Sequence, residues 1–294
     1  MPPVSKSFVN EFVSPNDALF DRSEHGTHIA SVIAAKSGVP GVAPQAKLVS
    51  VKVLKWNPET KRAEGNESDI IAGILYAVNL GIVDVINVSA GFTFEVNGRE
   101  SAHQLAALNR TINYAHQQGV LVVASVGNGA SNLNRNRNQV KAPAEITHVV
   151  AVSGTGPITI GNTEVMDADT FASFSDYGSA VYVAAPGGNI LVQNNVLLNN
   201  PLKDWIPGIC SRQSAAHPAC GRAPLMLSMA GTSQAAAHVS GLAALIVGKF
   251  GGEISPELLR AILKLSADDL GKKGNDEQYG FGRINAVRAV TTSP

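Results

Sequence analysis

The sequence has no excess of charge of either sign. Lysine plus arginine and aspartate plus glutamate each number 23, so the formal net charge at pH 7 is zero. Without a basic surface field, the chain has no general attraction for nucleic acid or for an anionic membrane. Arg135 and Arg137 stand in an asparagine-rich stretch that we interpret as a solvated loop. We therefore expect neither nucleic acid nor a membrane as a partner.

Long hydrophobic runs are also absent. The longest apolar stretch with helical character, 239–247, is much shorter than the roughly 18 to 20 residues that cross a bilayer. The N-terminal segment, MPPVSKSFVNEF, has no apolar core of the kind that marks a signal peptide. The sequence predicts neither a membrane span nor an export signal.

Cysteine is scarce, with only Cys210 and Cys220 in a polar segment that contains proline. Their spacing allows a loop disulfide and two unpaired thiols equally well. The chain has no Cys-x-x-Cys pair and no Cys/His cluster with a common zinc spacing. No metal site is therefore predicted.

Short runs rich in β-branched residues alternate with helical patterns. Their hydrophobicity is continuous, which is typical of strands buried on both faces of a parallel sheet; the runs are 47–54, 83–89, 120–127, 148–154 and 180–187. The helical pattern 66–80 has Ser68 as a candidate N-cap and Gly81 as its stop, and the pattern 101–118 ends at Gly119. This order predicts an α/β fold with a mostly parallel sheet, helices on both faces and active groups at the carboxyl ends of strands.

Length and composition favour one domain over residues 1–294. The stretch 188–227 interrupts the strand–helix order, and we interpret it as a loop insert. The first strong strand begins only at Lys47, after a helix that starts near His25. We therefore expect the sheet to lack its opening strand, which would make the domain incomplete at its N-terminus.

Three polar residues stand where catalytic groups are expected. A serine hydroxyl becomes a nucleophile when an imidazole removes its proton and N–H donors receive the oxyanion. Ser233 begins an alanine-rich helix, His25 begins another, and Asn128 follows a buried strand between glycines. Each has an ordinary alternative: Ser233 as a helix cap, His25 as a packed or solvated histidine, and Asn128 as a turn former. His28, three residues after His25, adds the alternative of a metal-dependent hydrolase, although HExxH is absent and no third ligand is apparent.

The order of the motifs decides between these alternatives. The sequence has SEHGTH at 23–28, NVSAGF at 87–92, VGNG at 126–129 and GTSQAAAHVSG at 231–241. Together they resemble the subtilisin-like serine proteases, the subtilases. The likeness continues through GVAPQAKLVSVKVL after the first helix to YGFGRINA at 279–286, and so covers nearly the whole chain. It implies the three-layer subtilisin-like fold.

The resemblance implies a serine endopeptidase that hydrolyses peptide bonds through an acyl-enzyme. His25 would be the general base and Ser233 the nucleophile, with the Asn128 side chain and the Ser233 backbone N–H forming the oxyanion hole. The segment Ser89, Ala90, Gly91 matches the edge along which the family lays an extended peptide. A polypeptide is the implied substrate, and a noncatalytic peptide-binding relative is the alternative function.

The resemblance also bears on other side chains. Counting back from Pro143 places Lys141 at the floor of the pocket for the substrate P1 side chain, where an ammonium would favour an acidic group. The alternative is that the preceding loop shifts the register and Lys141 points to solvent. His28 and His238 match structural positions of the family. Two residues after Ser233 differ from the family pattern: Gln234 and Ala237 stand where the family more commonly has Met and Pro.

The acid of the family is not found. It would precede His25 on a strand in an Asp-Thr-Gly or Asp-Ser-Gly context, and neither tripeptide occurs. Asp17 and Asp21 are the only upstream aspartates, and we interpret both as parts of a solvated acidic loop, with Asp21 as a minor candidate for orienting His25. Three explanations stay open: a sequence that starts after the strand, which we favour, an acid strand supplied by a separate segment, and a protein that binds peptides without cutting them.

The resemblance implies no required cofactor. The segment AAKSGVPGVAP passes directly from the first helix to the next strand, so the calcium loop that many relatives have there is not expected. Other calcium sites stay open, because oxygen ligands from loops leave little trace in a sequence. Family membership suggests a secreted protein.

Overall fold

The computed structural model describes residues 4–9, 19–135, 138–222 and 225–291. Its strands are short, and in chain order they are β1 (Lys6–Ser7), β2 (Val51–Lys52), β3 (Lys55–Asn57), β4 (Arg62–Glu64), β5 (Val85–Val88), β6 (Phe92–Glu95), β7 (Leu121–Ser125), β8 (Gln139–Ala142), β9 (Val149–Thr155), β10 (Ile158–Ile160), β11 (Thr163–Met166), β12 (Val183–Pro186), β13 (Val192–Gln193), β14 (Val196–Leu197), β15 (Ile206–Ile209) and β16 (Met226–Met229). Its helices are α1 (His25–Ala34), α2 (Glu67–Asn79), α3 (Arg99–Gln117), α4 (Pro201–Asp204), α5 (Thr232–Lys249), α6 (Pro256–Ser266) and α7 (Ala286–Thr291).

The central sheet has four parallel strands in the order β12, β9, β7, β5. Its register places Ala124 of β7 between Val88 of β5 and Ala151 of β9. Every residue of β7 and β9 is buried, which explains why these runs are continuously hydrophobic. The predicted α/β class with a parallel sheet is confirmed.

Helices cover both faces of this sheet. Along β7, Leu121 and Val123 belong to the core shared with α5, α6 and α7, whereas Val122 and Ala124 belong to the core shared with α2 and α3. This two-residue alternation is the pleat of a strand that is buried on both sides. The architecture is therefore helix layer, sheet, helix layer, as expected from the sequence.

The sheet is open on the side of β5. β1 and β2 form a separate parallel pair, with Lys6 opposite Val51, and within the described ranges no ladder joins β2 to β5. Helix α2 nevertheless covers both strands, because Val53 after β2 and Ile86 of β5 pack against one core that contains Ile70. The expectation that the sheet lacks its opening strand stays a prediction; β1 lies upstream of His25 but pairs with β2 outside this sheet.

The predicted helix ends are close to the observed ones. Ser68 is not the N-cap of α2, so that prediction is wrong: the extended residue before the helix is Asn66, and Ser68 lies inside the first turn. Gly81 and Gly119 follow α2 and α3 with φ of 64° and 80°, the left-handed conformation that glycine adopts without a steric cost.

The stretch 188–227 contains regular structure. Hairpin β13–β14, helix α4, strand β15 and part of β16 lie within it, and β15 pairs antiparallel with β16. Cys210 and Cys220 form a disulfide with a Cα–Cα distance of 5.9 Å. Because β16 leads directly into α5, this stretch is joined to the segment that carries Ser233.

In the ranges that the structure describes, no helix combines the length and the apolar character that a bilayer span requires.

Candidate active site

His25 is the first residue of α1. The turn before it is held by Asp21, whose carboxylate accepts hydrogen bonds from the backbone N–H groups of Ser23, Glu24 and Thr27 at 3.0, 2.9 and 2.7 Å. A carboxylate in this place satisfies free N–H groups and interacts favourably with the helix dipole. Asp21 is therefore a helix-capping residue and not a freely solvated one, which corrects the interpretation from sequence.

The His25 imidazole is poised to be neutral. Burial lowers its pKa from the usual 6.5, the negative charge of Asp21 opposes this shift, and His28 adds a further lowering. A neutral ring is the form that can accept a proton from a hydroxyl. Among the described residues, no hydrogen bond joins a carboxylate to this ring, and Asp17 lies outside them.

Ser233 is the second residue of α5, where backbone N–H groups are free of helical partners. It is 9% exposed. Its hydroxyl donates to the backbone oxygen of Ser89 at 3.4 Å, and the Ser89 hydroxyl donates back to the Ser233 backbone oxygen at 2.9 Å. The structure thus brings the predicted nucleophile and the predicted peptide-binding segment into direct contact.

Asn128 follows β7 and points its amide at the same helix end. Its Oδ1 accepts hydrogen bonds from the backbone N–H of Thr232 at 2.8 Å and from the Thr232 hydroxyl at 2.9 Å. Because the oxygen is engaged, the Nδ2 group remains as the donor that this side chain can offer to an anion. A Cβ placed on Gly231 would lie 3.3 Å from Nδ2, a tight contact, so glycine at this position leaves the amide more room.

Thr232 was not predicted from the sequence as a functional residue. Its hydroxyl is also the acceptor for the Gly127 backbone N–H at 3.2 Å, so the side chain connects the two halves of the expected oxyanion hole. A signal was available in the sequence: Thr232 stands immediately before Ser233, within a motif that was assigned to the candidate site.

The helices that carry His25 and Ser233 pack against each other. His28 makes the closest link: its Nε2 donates to the backbone oxygens of Ile206 and Leu227, both at 3.1 Å, and its Nδ1 accepts from the Gln234 amide at 3.4 Å. Both ring nitrogens are engaged, so this geometry gives no support to a metal pair with His25. Gln234, which departs from the family pattern, ties α5 to α1.

His25 and Ser233 are not directly bonded in this structure. In the described part of the chain, the Ser233 hydroxyl has its hydrogen bond with Ser89 and none with the imidazole. Catalytic hydrogen bonds are often long before a substrate binds, so the missing bond does not exclude a catalytic pair.

The predicted peptide-binding segment, Ser89 to Gly91, continues into β6. Strand β6 pairs antiparallel with β8, with Thr93 opposite Lys141. A Cβ on Gly91 would lie 3.0 Å from the Ala142 backbone oxygen, which shows how closely the two segments approach. The peptide bond from Ala142 to Pro143 is cis.

Lys141 lies beneath the segment that carries Asn128. A Cβ on Gly127 would lie 2.9 Å from its Cε, and its ammonium is 3.2 Å from the Asp176 carboxylate. Asp176 is fully buried and also accepts the backbone N–H groups of Gly129 and Ser131, each at 2.9 Å. The Lys141 side chain is 31% exposed and pairs with the fully buried Asp176, so it is neither deeply buried nor freely solvated.

His238 lies on α5, five residues after Ser233, and is partly buried. Its Nδ1 donates to the Gln234 backbone oxygen at 2.9 Å, and burial lowers its pKa below 6.5. This hydrogen bond within its own helix is consistent with a structural role.

Comparison with known sequences places the chain in a family. The profile of the subtilase family matches residues 3–282. The thermophilic serine proteinase of Bacillus sp. (strain AK1) is 30% identical over 285 residues, which cover 96% of this chain and 55% of that protein. Thermitase of Thermoactinomyces vulgaris is 31% identical over 284 residues, which cover 95% of this chain and 79% of that protein. The chain spans about half the length of the first of these relatives.

Solved structures agree with the fold. A lanthipeptide protease superimposes with a TM-score of 0.76 at 28% identity, over 92% of this chain and 77% of that one. The epidermin leader peptide processing serine protease of Staphylococcus aureus superimposes with a TM-score of 0.79 at 23% identity, over 98% of this chain and 69% of that one. The family profile over residues 3–282 and these related sequences show that the chain belongs to the subtilase family.

Proposed function

We propose that the chain is a serine endopeptidase. Ser233 is the nucleophile, His25 the general base, and the Asn128 Nδ2 with the Ser233 backbone N–H forms the oxyanion hole. The observation that carries the proposal is the double hydrogen bond from Thr232 to Asn128 Oδ1, which fixes an amide donor beside the nucleophile. A simple turn-forming asparagine needs no such partner.

The reaction follows from these positions. The Ser233 hydroxyl leaves the Ser89 backbone oxygen, transfers its proton to His25 and attacks the substrate carbonyl carbon. The carbonyl oxygen becomes an anion that the Asn128 amide and the Ser233 N–H stabilise. His25 then gives the proton to the leaving amine, and water hydrolyses the acyl-enzyme by the same steps in reverse order. This chemistry needs no cofactor.

The acid that orients His25 is proposed to come from a strand in the opening between β2 and β5. Such a strand would complete the sheet and end beside the start of α1. Its source is either a segment before Met1 or a separate segment that binds in trans. In subtilisin, removal of the acid alone lowers kcat by about 3 × 10⁴, which is roughly 6 kcal/mol at ~1.36 kcal/mol per tenfold.

The substrate is proposed to be an extended polypeptide. Ser89, Ala90 and Gly91 would offer their backbone for main-chain pairing, and Gly91 permits the close approach of this segment to the Ala142 backbone oxygen. Lys141 is proposed to bind an acidic P1 side chain, because its partly exposed ammonium can contact a second carboxylate while it remains paired with Asp176. Ammonium groups have three donors, so both contacts are possible at once.

A fluorophosphonate probe, which modifies activated serines, tests the proposal. We expect the probe to add to Ser233, and we expect the adduct to be lost in Ser233→Ala and much slower in His25→Ala. A folded wild-type chain that never reacts, even when the acid strand is supplied, would leave the peptide-binding alternative. Equal reaction in wild type and Ser233→Ala would show that another residue is modified.

The strand proposal has its own test. The coding sequence upstream of Met1 should contain an apolar run that ends in Asp-Thr-Gly or Asp-Ser-Gly. A chain extended by that run should slow amide hydrogen exchange in β2 and β5, because their open edges become hydrogen-bonded. Unchanged exchange in β5 would show that the added segment lies elsewhere.

A further inference from the structure

Glu24, immediately before His25, is a buried carboxylate that the proposed reaction does not use. It is 1% exposed, and its backbone is left-handed with φ of 71°. Its Oε1 accepts hydrogen bonds from the Ser214 hydroxyl and from His217 Nδ1, the latter at 2.7 Å. Buried carboxylates are costly unless both oxygens have donors or a cation.

The second oxygen of Glu24 faces two sulfur atoms. Its Oε2 lies 3.4 Å from Cys210 Sγ and 3.9 Å from Cys220 Sγ. In the disulfide neither sulfur carries a hydrogen, so within the described residues this oxygen has no donor. If the disulfide is reduced, the thiols can donate hydrogen bonds to this oxygen. As thiolates, the sulfurs can bind a cation together with the carboxylate.

These groups have the chemistry of a soft metal site. The ligand atoms of Glu24, Cys210 and Cys220 all lie within 4.8 Å of one another, and all three residues are buried. His217 lies outside this cluster: its Nδ1 is 2.7 Å from the Glu24 carboxylate and its side chain is 56% exposed, so the ring has room to turn toward an ion as a fourth ligand. Two sulfurs, one imidazole and one carboxylate are a four-coordinate set that suits zinc.

We propose that Glu24, Cys210, His217 and Cys220 bind one zinc ion when both cysteines are thiols. Binding releases one proton from each thiol, and the two thiolates and the zinc ion form the metal–sulfur bonds. With the carboxylate, the site carries one net negative charge. The N-terminus of α1, at which Glu24 stands, favours a negative charge in that position.

The site joins the segment 210–220 to the turn before His25. Around it, the Ser211 hydroxyl donates to the Asp21 backbone oxygen at 2.6 Å, and the Ala215 N–H donates to the Arg22 backbone oxygen at 2.8 Å. The disulfide or the metal thus closes a loop against the turn that carries His25. The sequence did not predict the site, because Cys-x6-His-x2-Cys is not a common zinc spacing and Glu24 comes from far away in the chain.

Metal content tests the proposal without any need for catalysis. The full chain is reduced with a phosphine, loaded with zinc chloride, desalted and assayed for zinc and for free thiols. We expect one zinc per chain, two protons released on loading and a higher melting temperature. The oxidised chain, with the same residues in disulfide form, should retain no zinc.

Matched variants assign the ligands. Cys210→Ser and Glu24→Gln should weaken zinc binding by at least about tenfold, whereas His103→Gln, an exposed histidine of α3, should leave it unchanged. His217→Gln changes an exposed side chain and should not disturb folding, so a weaker zinc affinity in this variant cannot be attributed to misfolding. We expect that weaker affinity. Cobalt in place of zinc should show thiolate-to-metal absorption. A reduced, folded wild type that retains no more zinc than Cys210→Ser would overturn the proposal, and so would cobalt binding without that absorption.

Discussion

The Asn128 side-chain oxygen accepts two hydrogen bonds from Thr232, one from the backbone N–H at 2.8 Å and one from the hydroxyl at 2.9 Å. Asn128 follows a central strand and Thr232 begins the helix that carries Ser233. The pair therefore sets the orientation of an amide donor relative to the nucleophile, which neither element could do alone.

Replacing Thr232 by valine tests this relationship. The variant keeps the backbone N–H and the shape but loses the hydroxyl bonds to Asn128 and Gly127. We expect kcat for a peptide ester to fall by about tenfold, the cost of roughly one hydrogen bond, with KM nearly unchanged because the effect is on the transition state. Asn128→Ala should lose about 10² to 10³ in kcat.

Steady-state kinetics of these variants and of Thr111→Val provide the measurement. Thr111 is a buried threonine of α3 that is far from the site and bonds only to its own helix. An undiminished kcat in Thr232→Val, or an equal loss in Thr111→Val, would contradict the orienting role.

The proposed position of Lys141 at the floor of the P1 pocket predicts a charge preference. Wild type should cleave after glutamate about tenfold faster than after leucine, because one charge-assisted hydrogen bond to Lys141 is added. Lys141→Gly should remove the preference but also leaves Asp176 buried without its cation, which is destabilising. The double variant Lys141→Met/Asp176→Asn removes both charges and isolates the specificity effect.

A library of peptides that differ only at P1 measures this preference. If wild type cleaves after glutamate and leucine at equal rates, and Lys141→Gly leaves that ratio unchanged, Lys141 has no part in specificity.

Two glycines of α5 predict opposite effects on stability. A Cβ on Gly241 would lie 2.6 Å from the Cβ of Val42, so Gly241→Ala should force α5 away from its neighbour and cost about 1 to 3 kcal/mol. Gly248, in the same helix, has open space around it, and Gly248→Ala should stabilise the protein by up to about 1 kcal/mol. Urea unfolding of the two variants gives the signs, and a neutral Gly241→Ala would show that α5 and the segment that carries Val42 do not pack as described.

Buried histidines predict a loss of stability in mild acid. Burial lowers the pKa of His238 in the folded state below the 6.5 of the unfolded chain. Below pH 6.5 the unfolded chain therefore takes up a proton that the folded protein does not, and the free energy of unfolding falls until the pH reaches the folded pKa. One such group contributes at most about 1.36 kcal/mol per pH unit.

Unfolding measured between pH 8 and 5 checks the sign. The slope of stability against pH should be smaller in His238→Gln than in wild type and unchanged in His103→Gln. A wild-type protein that becomes more stable as the pH falls through this range would contradict the assignment of His238 as a buried neutral ring.

Much of the fold could be predicted because strands buried on both faces leave a continuous hydrophobic signal. The runs that became β5, β7, β9 and β12 were found from that signal, and Gly81 and Gly119 marked the ends of two helices. Ser68 was mistaken for a cap because serine, asparagine and aspartate are near-equivalent caps, and only the backbone conformation distinguishes Asn66.

The site was predictable only where a motif is local. His25, Asn128 and Ser233 each stand in short glycine-rich motifs, whereas the contacts of Thr232, Asp176 and Glu24 join segments distant in the chain. Asp21 was misinterpreted for a related reason: its capping bonds depend on the turn closing over it. The sequence left the pairing of Cys210 and Cys220 open. Both cysteines lie in the loop between the paired strands β15 and β16, and no local pattern specifies how that loop folds.

A kinetic cycle on His25 and Ser233 tests the central claim most directly. The rate of hydrolysis of an activated peptide ester is measured for wild type, His25→Ala, Ser233→Ala and the double variant, with the acid strand present. Because a base and a nucleophile act as one unit, we expect each single variant to lose nearly as much kcat as the double variant. Losses that add independently, or a His25→Ala variant as fast as wild type, would contradict the claim that His25 activates Ser233.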